Sequence, residues 1–377
     1  MNFIIYIIPF FVAIILFLFF RKKVVWWEYV VLIIPSLVFS LLIKLCMVSY
    51  NASDTEYLGA YVTKIIYYEE WDEMVLRTKT RRVPDGKGGT KTQTYTVWER
   101  EYHPEEWVYV NNENNWEHNI SKKLYEKIKI RLNSPTVFKD MKRDYHRIDG
   151  DAYVTMYDGS MEHLYDITYA HKYKNKIQAS QSNTIFKMLD IDKEMADSLG
   201  LYEYPKITDL AQNPILGRNV SKEELQIFRY INAMKGKKNE FRTYVLFFNH
   251  DEFDKSELQK SYWQNGNKNE FIVCLGMKRD SVAWTNSFSW CDMPKLEIKT
   301  RNYFINNPKL DLVKYGTWLN NNIDENWTRK EFDDFNYIDI ELSTGQYIAL
   351  FFLTILFNIG IGAVVIYNNI NTEYYEW

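Results

Sequence analysis

Cysteine is scarce, with three in 377 residues and no CxxC pair. That leaves no zinc-ribbon spacing and no thioredoxin-like redox pair. No Walker loop, Rossmann fingerprint, HExxH pair or nucleophile elbow occurs. The usual signatures of nucleotide binding, zinc proteolysis and acyl transfer are therefore missing. Nor does one charge dominate: 46 Lys and Arg stand against 49 Asp and Glu. That balance gives no reason to expect nucleic acid as a partner.

What is present is strongly segregated. Residues 1–48 and 347–367 are almost wholly apolar, whereas 49–346 carry 42 basic and 46 acidic residues. The chain also has 29 Tyr, 22 Phe and 12 Trp, enough to bury a sizeable core and too many for a disordered region.

Residues 2–20, NFIIYIIPFFVAIILFLFF, run nineteen positions without a charge. About twenty helical residues cross the hydrocarbon core of a bilayer. No basic start and no small-x-small cleavage site accompany this run, so it reads as a retained helix and not as a signal peptide. Residues 24–48 form a second span, with Glu28 and Lys44 near its ends and Trp26, Trp27 and Tyr29 suited to the interface. Residues 346–367 form a third, in which Gly360 and Gly362 either admit a close helix or do nothing.

The short turn Arg21, Lys22, Lys23 is expected to stay in the cytoplasm. The polar region then lies outside, as in a bacterial inner-membrane protein with residues 49–346 in the periplasm or at the cell exterior. The acidic tail and Lys64, Arg329 and Lys330 argue the other way. Cys274 and Cys291 are then either a disulfide or two buried thiols. The Lys, Asn and Ile bias suits an AT-rich bacterial or phage genome.

The expected organisation is a transmembrane hairpin (1–48), a β-rich soluble region (49–205), an α/β domain (206–345), a third transmembrane helix (346–367) and a short tail (368–377). In the β-rich region, MVLRTKTRRV and TKTQTYTVWERE flank PDGKGG and predict a long, partly exposed hairpin. It is either an arm for protein contact or an edge kept soluble by its charges. Ser121 is expected to cap a helix over 121–132. In the α/β domain, Ser221 and Glu224 predict a capping box and Gly236 a helix end. Asp254 and Glu257 predict a second capping box. FRTYVLFFN and NEFIVCLGM read as buried parallel strands joined by a right-handed crossover.

The segment around Trp263, Gly266 and Asn269, followed by Trp284, resembles TPM-type domains, in which a Trp–Gly–Asn turn leads into a buried strand. The likeness covers residues 221–300, and the strand that precedes this turn in that family has no clear counterpart here. It implies a small, membrane-tethered α/β module facing away from the cytoplasm. Some such domains are linked to phosphatase activity and others to assembly or repair of membrane complexes. The whole chain also resembles uncharacterised phage and bacterial membrane proteins.

In open α/β sheets, ligands sit beyond the carboxyl ends of parallel strands. Here those ends place His250, Asp251, Glu252 and Asp280 on one rim, with Lys278 and Arg279 beside them. Carboxylates and one His can hold a divalent cation, and such a site supports phosphoester hydrolysis. The bland alternative is that loops after strands are simply polar. His146, His163 and His171, scattered among Asp and Tyr, read mainly as surface residues, and His103, which precedes a proline, reads as part of a turn.

Two functions remain. One is a non-enzymatic envelope protein, held in the lipid bilayer, that binds or assembles another envelope protein. The other is a membrane-tethered, metal-dependent phosphoester hydrolase. Three spans offer too little polar surface for a transporter unless they oligomerise.

Overall fold

The computed structural model describes residues 2–20, 24–84, 86, 88–139, 151–175, 191–207, 213–263, 266–291, 293–329, 340 and 342–373. The chain divides into two compact units. One comprises Met1–Thr55, Lys172–Lys187 and Lys330–Trp377, and the other Glu56–His171 and Met188–Arg329.

The first unit packs helices α1 (Asn2–Phe20) and α2 (Trp26–Asn51) with the C-terminal helix α9 (Thr344–Glu373). Two stretches, Trp26–Asn51 and Thr344–Tyr367, are long and apolar enough to cross a membrane. The apolar run Ile5–Phe20 of α1 is shorter, so two of the three expected spans meet that measure. Phe39 stacks on Phe357 at 4.0 Å. Ser40 and Thr354 share a hydrogen bond of 3.1 Å, fully buried. The Asn51 and Gln346 amides bond each other twice, at 2.9 and 2.7 Å. A Cβ on Gly362 would touch Leu16 and Leu32, whereas Gly360 faces open space. The charged turn Arg21–Lys23 lies outside the described residues.

The second unit contains two main sheets. The first is built on the sixteen-residue strand β1 (Ser53–Tyr68), whose Val, Ile and Tyr suit a pleated, half-buried surface. It pairs antiparallel with β4 (Glu106–Asn111) and β7 (Ala152–Met156), and also pairs with β8 (Asp166–Lys174). Short strands β5 (Glu117–Asn119) and β6 (Val137–Lys139) lie at the edges. Helix α3 (Lys122–Leu132), capped by Ser121 as expected, presses Tyr125, Ile128 and Leu132 onto Ala60, Val62 and Ile65.

The second sheet has the order β12 (Ser281–Ser289), β11 (Glu270–Lys278), β10 (Arg242–Asn249), β9 (Ile215–Leu216). β9, β10 and β11 run parallel, and β12 returns antiparallel across the turn at Arg279–Asp280. Helix α5 (Lys222–Asn239) crosses from β9 to β10, and α6 (Phe253–Tyr262) from β10 to β11. Ile227, Phe228 and Ile231 of α5 cover Val245, Phe247 and Val273, together with helices α7 (Pro294–Asn306) and α8 (Leu312–Asn326). Trp263, just after α6, covers the other face at Tyr244, Leu246 and Ile272. Both crossovers step the same way across the sheet yet use opposite faces. They are therefore of opposite hand, and one departs from the usual right-handed preference.

Local readings fare unevenly. The capping box at Ser221 and Glu224 is present. Gly236 does not end α5, which continues to Asn239 and closes at Glu240 in the left-handed region. Asp254 is not a cap either: Glu252 precedes α6, and Asp254 lies in its first turn. Residues 191–205, assigned by sequence to the β-rich region, pack on the second sheet through helix α4 (Lys193–Leu199), Tyr202 and Tyr204.

Candidate contact arm

The register Asn249 to Met277 brings the carboxyl ends of β10 and β11 together, as the sequence suggests. The four rim residues nevertheless have separate occupations. His250 and Asp251 are exposed in the turn after β10, and the His250 carbonyl accepts from Trp284 Nε1 at 3.0 Å. Glu252 accepts from the Asn249 amide at 2.9 Å and pairs with Lys255 at 2.8 Å. The Lys255 hydrogen bond holds its carboxyl below the usual range. Asp280 occupies the β11–β12 turn, where its carbonyl accepts from the Leu310 amide. Among the described residues, no group of three or more His, Cys, Asp and Glu can hold a metal ion.

Of the two alternatives for Cys274 and Cys291, the structure has two buried thiols and no disulfide, for a geometric reason. Cys274 lies on the α6 face of the second sheet and Cys291 in the core on the α5 face, so the sheet separates two buried thiols that are not joined to each other. His163 pairs with Asp158 at 2.6 Å and holds that carboxyl down to about 2. His103 bonds Glu73 at 2.9 Å. His146 lies outside the described residues.

Three of the four residues behind the family resemblance gather at the amino ends of β10 and β11. Trp263 is buried and donates to the Tyr202 carbonyl at 2.7 Å. Gly266 leaves room for the Tyr204 ring, which a Cβ would approach to 2.9 Å. Asn269 donates to the Tyr57 carbonyl at 3.3 Å. Beside them Glu270, fully buried, accepts from Tyr204 at 2.6 Å and from Asn267 at 3.0 Å. Burial raises its pKa. Trp284 lies at the other end of its strand, over Gly276.

A second buried charge cluster escaped the sequence reading. Glu56, fully buried, accepts from Arg329 at 2.7 Å and bonds His171 at 3.1 Å. Burial raises the pKa of Glu56 despite both partners. Nothing in the sequence links positions 56, 171 and 329, because only the fold brings them together.

Among the described residues, the hairpin joins neither main sheet. Strands β2 (Trp71–Pro84) and β3 (Thr90–His103) form a two-stranded sheet of their own, with fourteen residue pairs. At about 3.4 Å per residue the ribbon is roughly 45 Å long. Residues directly opposite share a face, so the register sorts the side chains. One face carries ion pairs: Arg77 to Glu101 at 2.6 Å, Lys79 to Glu99, and His103 to Glu73. Arg81 lies over the Tyr95 ring and bonds Gln93.

The other face carries Met74, Leu76, Trp98 and Tyr102 near the body, at 43, 51, 53 and 57% exposure, with the Asp72–Arg100 ion pair among them. Farther out it carries Thr78 opposite Thr96 and Thr80 opposite Thr94. Threonine keeps an exposed strand both extended and soluble. Met74, Leu76, Trp98 and Tyr102 are large, exposed and clustered on this face around the Asp72–Arg100 pair, which solubility alone does not require. Met74 and Leu76 alternate with period two, the signal that points to this face in the sequence, whereas Arg100 interrupts the pattern between Trp98 and Tyr102.

Comparison with protein-family models, curated proteins and solved structures finds no match to this chain.

Proposed function

We propose that the chain is a membrane-anchored envelope protein that binds or assembles another envelope component through its large soluble region, with the β2–β3 arm as the contact element. Helices α1, α2 and α9 are the anchor, and residues 49–346 face away from the cytoplasm of a bacterial cell. The TPM-like reading of residues 221–300 belongs to the same proposal, on the assembly side of that resemblance. One observation carries it: an isolated ribbon exposes Met74, Leu76, Trp98 and Tyr102 on a single face. A two-stranded hairpin is marginal alone, and a third element laid on that face would stabilise it. No comparable observation favours the hydrolase, because the rim residues serve a helix start and two turns.

The test is a photo-activated cross-linker at Leu76 of the full-length protein in intact cells. A discrete protein adduct is expected there and not at Lys299, which lies on α7 in the second sheet's half of the unit. Equal labelling at both positions, or no adduct at either, would remove the arm as a contact element.

A further inference from the structure

The arm is electrically polarised. Its outer half carries Arg77, Lys79, Arg81, Arg82 and Lys91, with no acid among the described residues. The half nearer the body carries Asp72, Glu73, Glu99 and Glu101 against Arg100. The two halves are therefore of opposite sign, at net +5 and −3. Strand β2 shows the gradient most steeply, with Asp72 and Glu73 at one end and Arg81 and Arg82 at the other. Among the described residues it pairs only with β3, which leaves its second edge open there. A strand edge charged uniformly repels a copy of itself, whereas a polarised edge attracts one laid head to tail.

We propose that the partner of the arm is the same arm of a second copy of this chain. The ribbons run antiparallel and join along their β2 edges into a four-stranded sheet. This rests on the reading of the ribbon as the contact element and adds to its apolar face a second contact surface, the β2 edge. A two-fold contact of this kind uses the same patch from both copies. The side-chain period of two allows only registers that oppose residues of like parity. One such register sets Asp72 opposite Arg82 and Glu73 opposite Arg81 of the second copy. Arg77 then falls on the two-fold axis, opposite its own counterpart, with each Arg77 already held by Glu101 of its own ribbon.

Cross-linking reads this register directly. In the full-length protein in membranes, with Cys46→Ala as background, Arg77→Cys is expected to form a disulfide-linked dimer under mild oxidation. Opposed residues of an antiparallel pair lie within disulfide reach. Thr90→Cys, at the tip and far from the axis, should cross-link at least tenfold less. Arg81→Glu with Arg82→Glu should abolish a dimer measured by sedimentation in detergent. Co-expression with a differently tagged Asp72→Arg, Glu73→Arg copy should restore it as a heterodimer, and the Arg81→Lys, Arg82→Lys variant should keep it. A monomer whose Arg77→Cys variant does not cross-link overturns the self-pairing. In that event, a Leu76 photo-adduct with a different protein leaves the arm reading standing, and no adduct removes both.

Discussion

Gly59 of β1 and Gly236 of α5 meet backbone to backbone. A methyl group on Gly236 would lie 1.9 Å from the Gly59 carbonyl oxygen, and one on Gly59 would lie 2.1 Å from the Asn232 carbonyl oxygen. Strand and helix approach more closely here than any side chain permits. On an exposed helix, Gly→Ala gains about 1 kcal/mol. At position 236 overpacking outweighs that gain, and a net loss of roughly 1–3 kcal/mol is expected. Gly360→Ala, with nothing within 4 Å, is the control. Urea unfolding of the detergent-solubilised protein should lower the midpoint for Gly59→Ala and Gly236→Ala and not lower it for Gly360→Ala.

The buried pair of Glu56 and Arg329 makes a sharper demand. Arg329→Met leaves the Glu56 carboxyl without its guanidinium, at a cost of about 3–5 kcal/mol. Adding Glu56→Gln to that variant removes the stranded charge. The double variant should therefore melt above Arg329→Met alone, and additive losses would show that the two residues do not act as a pair.

Asp324 gives a pH test. It accepts hydrogen bonds from Lys235 at 2.7 Å and Lys238 at 2.8 Å, which hold its carboxyl down to about 2. Because the folded pKa lies below the unfolded one, the contribution is complete above about pH 4. It disappears as the pH falls through about 2. Asp324→Asn should therefore be less stable than the parent at neutral pH, with the gap closing in acid. A gap that persists at pH 2 would show that the ion pairs are not its source.

The thiols and the topology are checked with one reagent class. Cys274 and Cys291 should react only after denaturation, and the protein should migrate identically on reducing and non-reducing gels. For orientation, Thr90→Cys and Asn371→Cys are labelled singly in intact cells by a membrane-impermeant reagent in a Cys46→Ala background. Labelling at 90 and not at 371 is expected. The reverse pattern would place the soluble region in the cytoplasm.

Much of this architecture can be read from the chain because the signals are local. The capping box at Ser221, the helix begun by Ser121, the apolar strands β10 and β11 and the long hairpin each follow from a few adjacent residues. The failures are non-local. Gly236 carries the mark of a helix terminus, yet its role is set by Gly59, far away in sequence. Cys274 and Cys291 sit close in the chain but on opposite sides of a sheet. The rim was legible as a place, because parallel strands do end together there. It was not legible as chemistry, because Glu252 is spent on a helix start and Asp280 on a turn.

The arm's period-two construction makes its reach adjustable. Removing two residues from each strand shortens the ribbon by about 7 Å and leaves every remaining side chain on its original face. Removing one from each turns the outer part over and brings the threonines to the ion-pair side. Length in this element can therefore vary in even steps without redesigning what either surface presents. The distance at which a partner is met is thus separable from the chemistry that meets it.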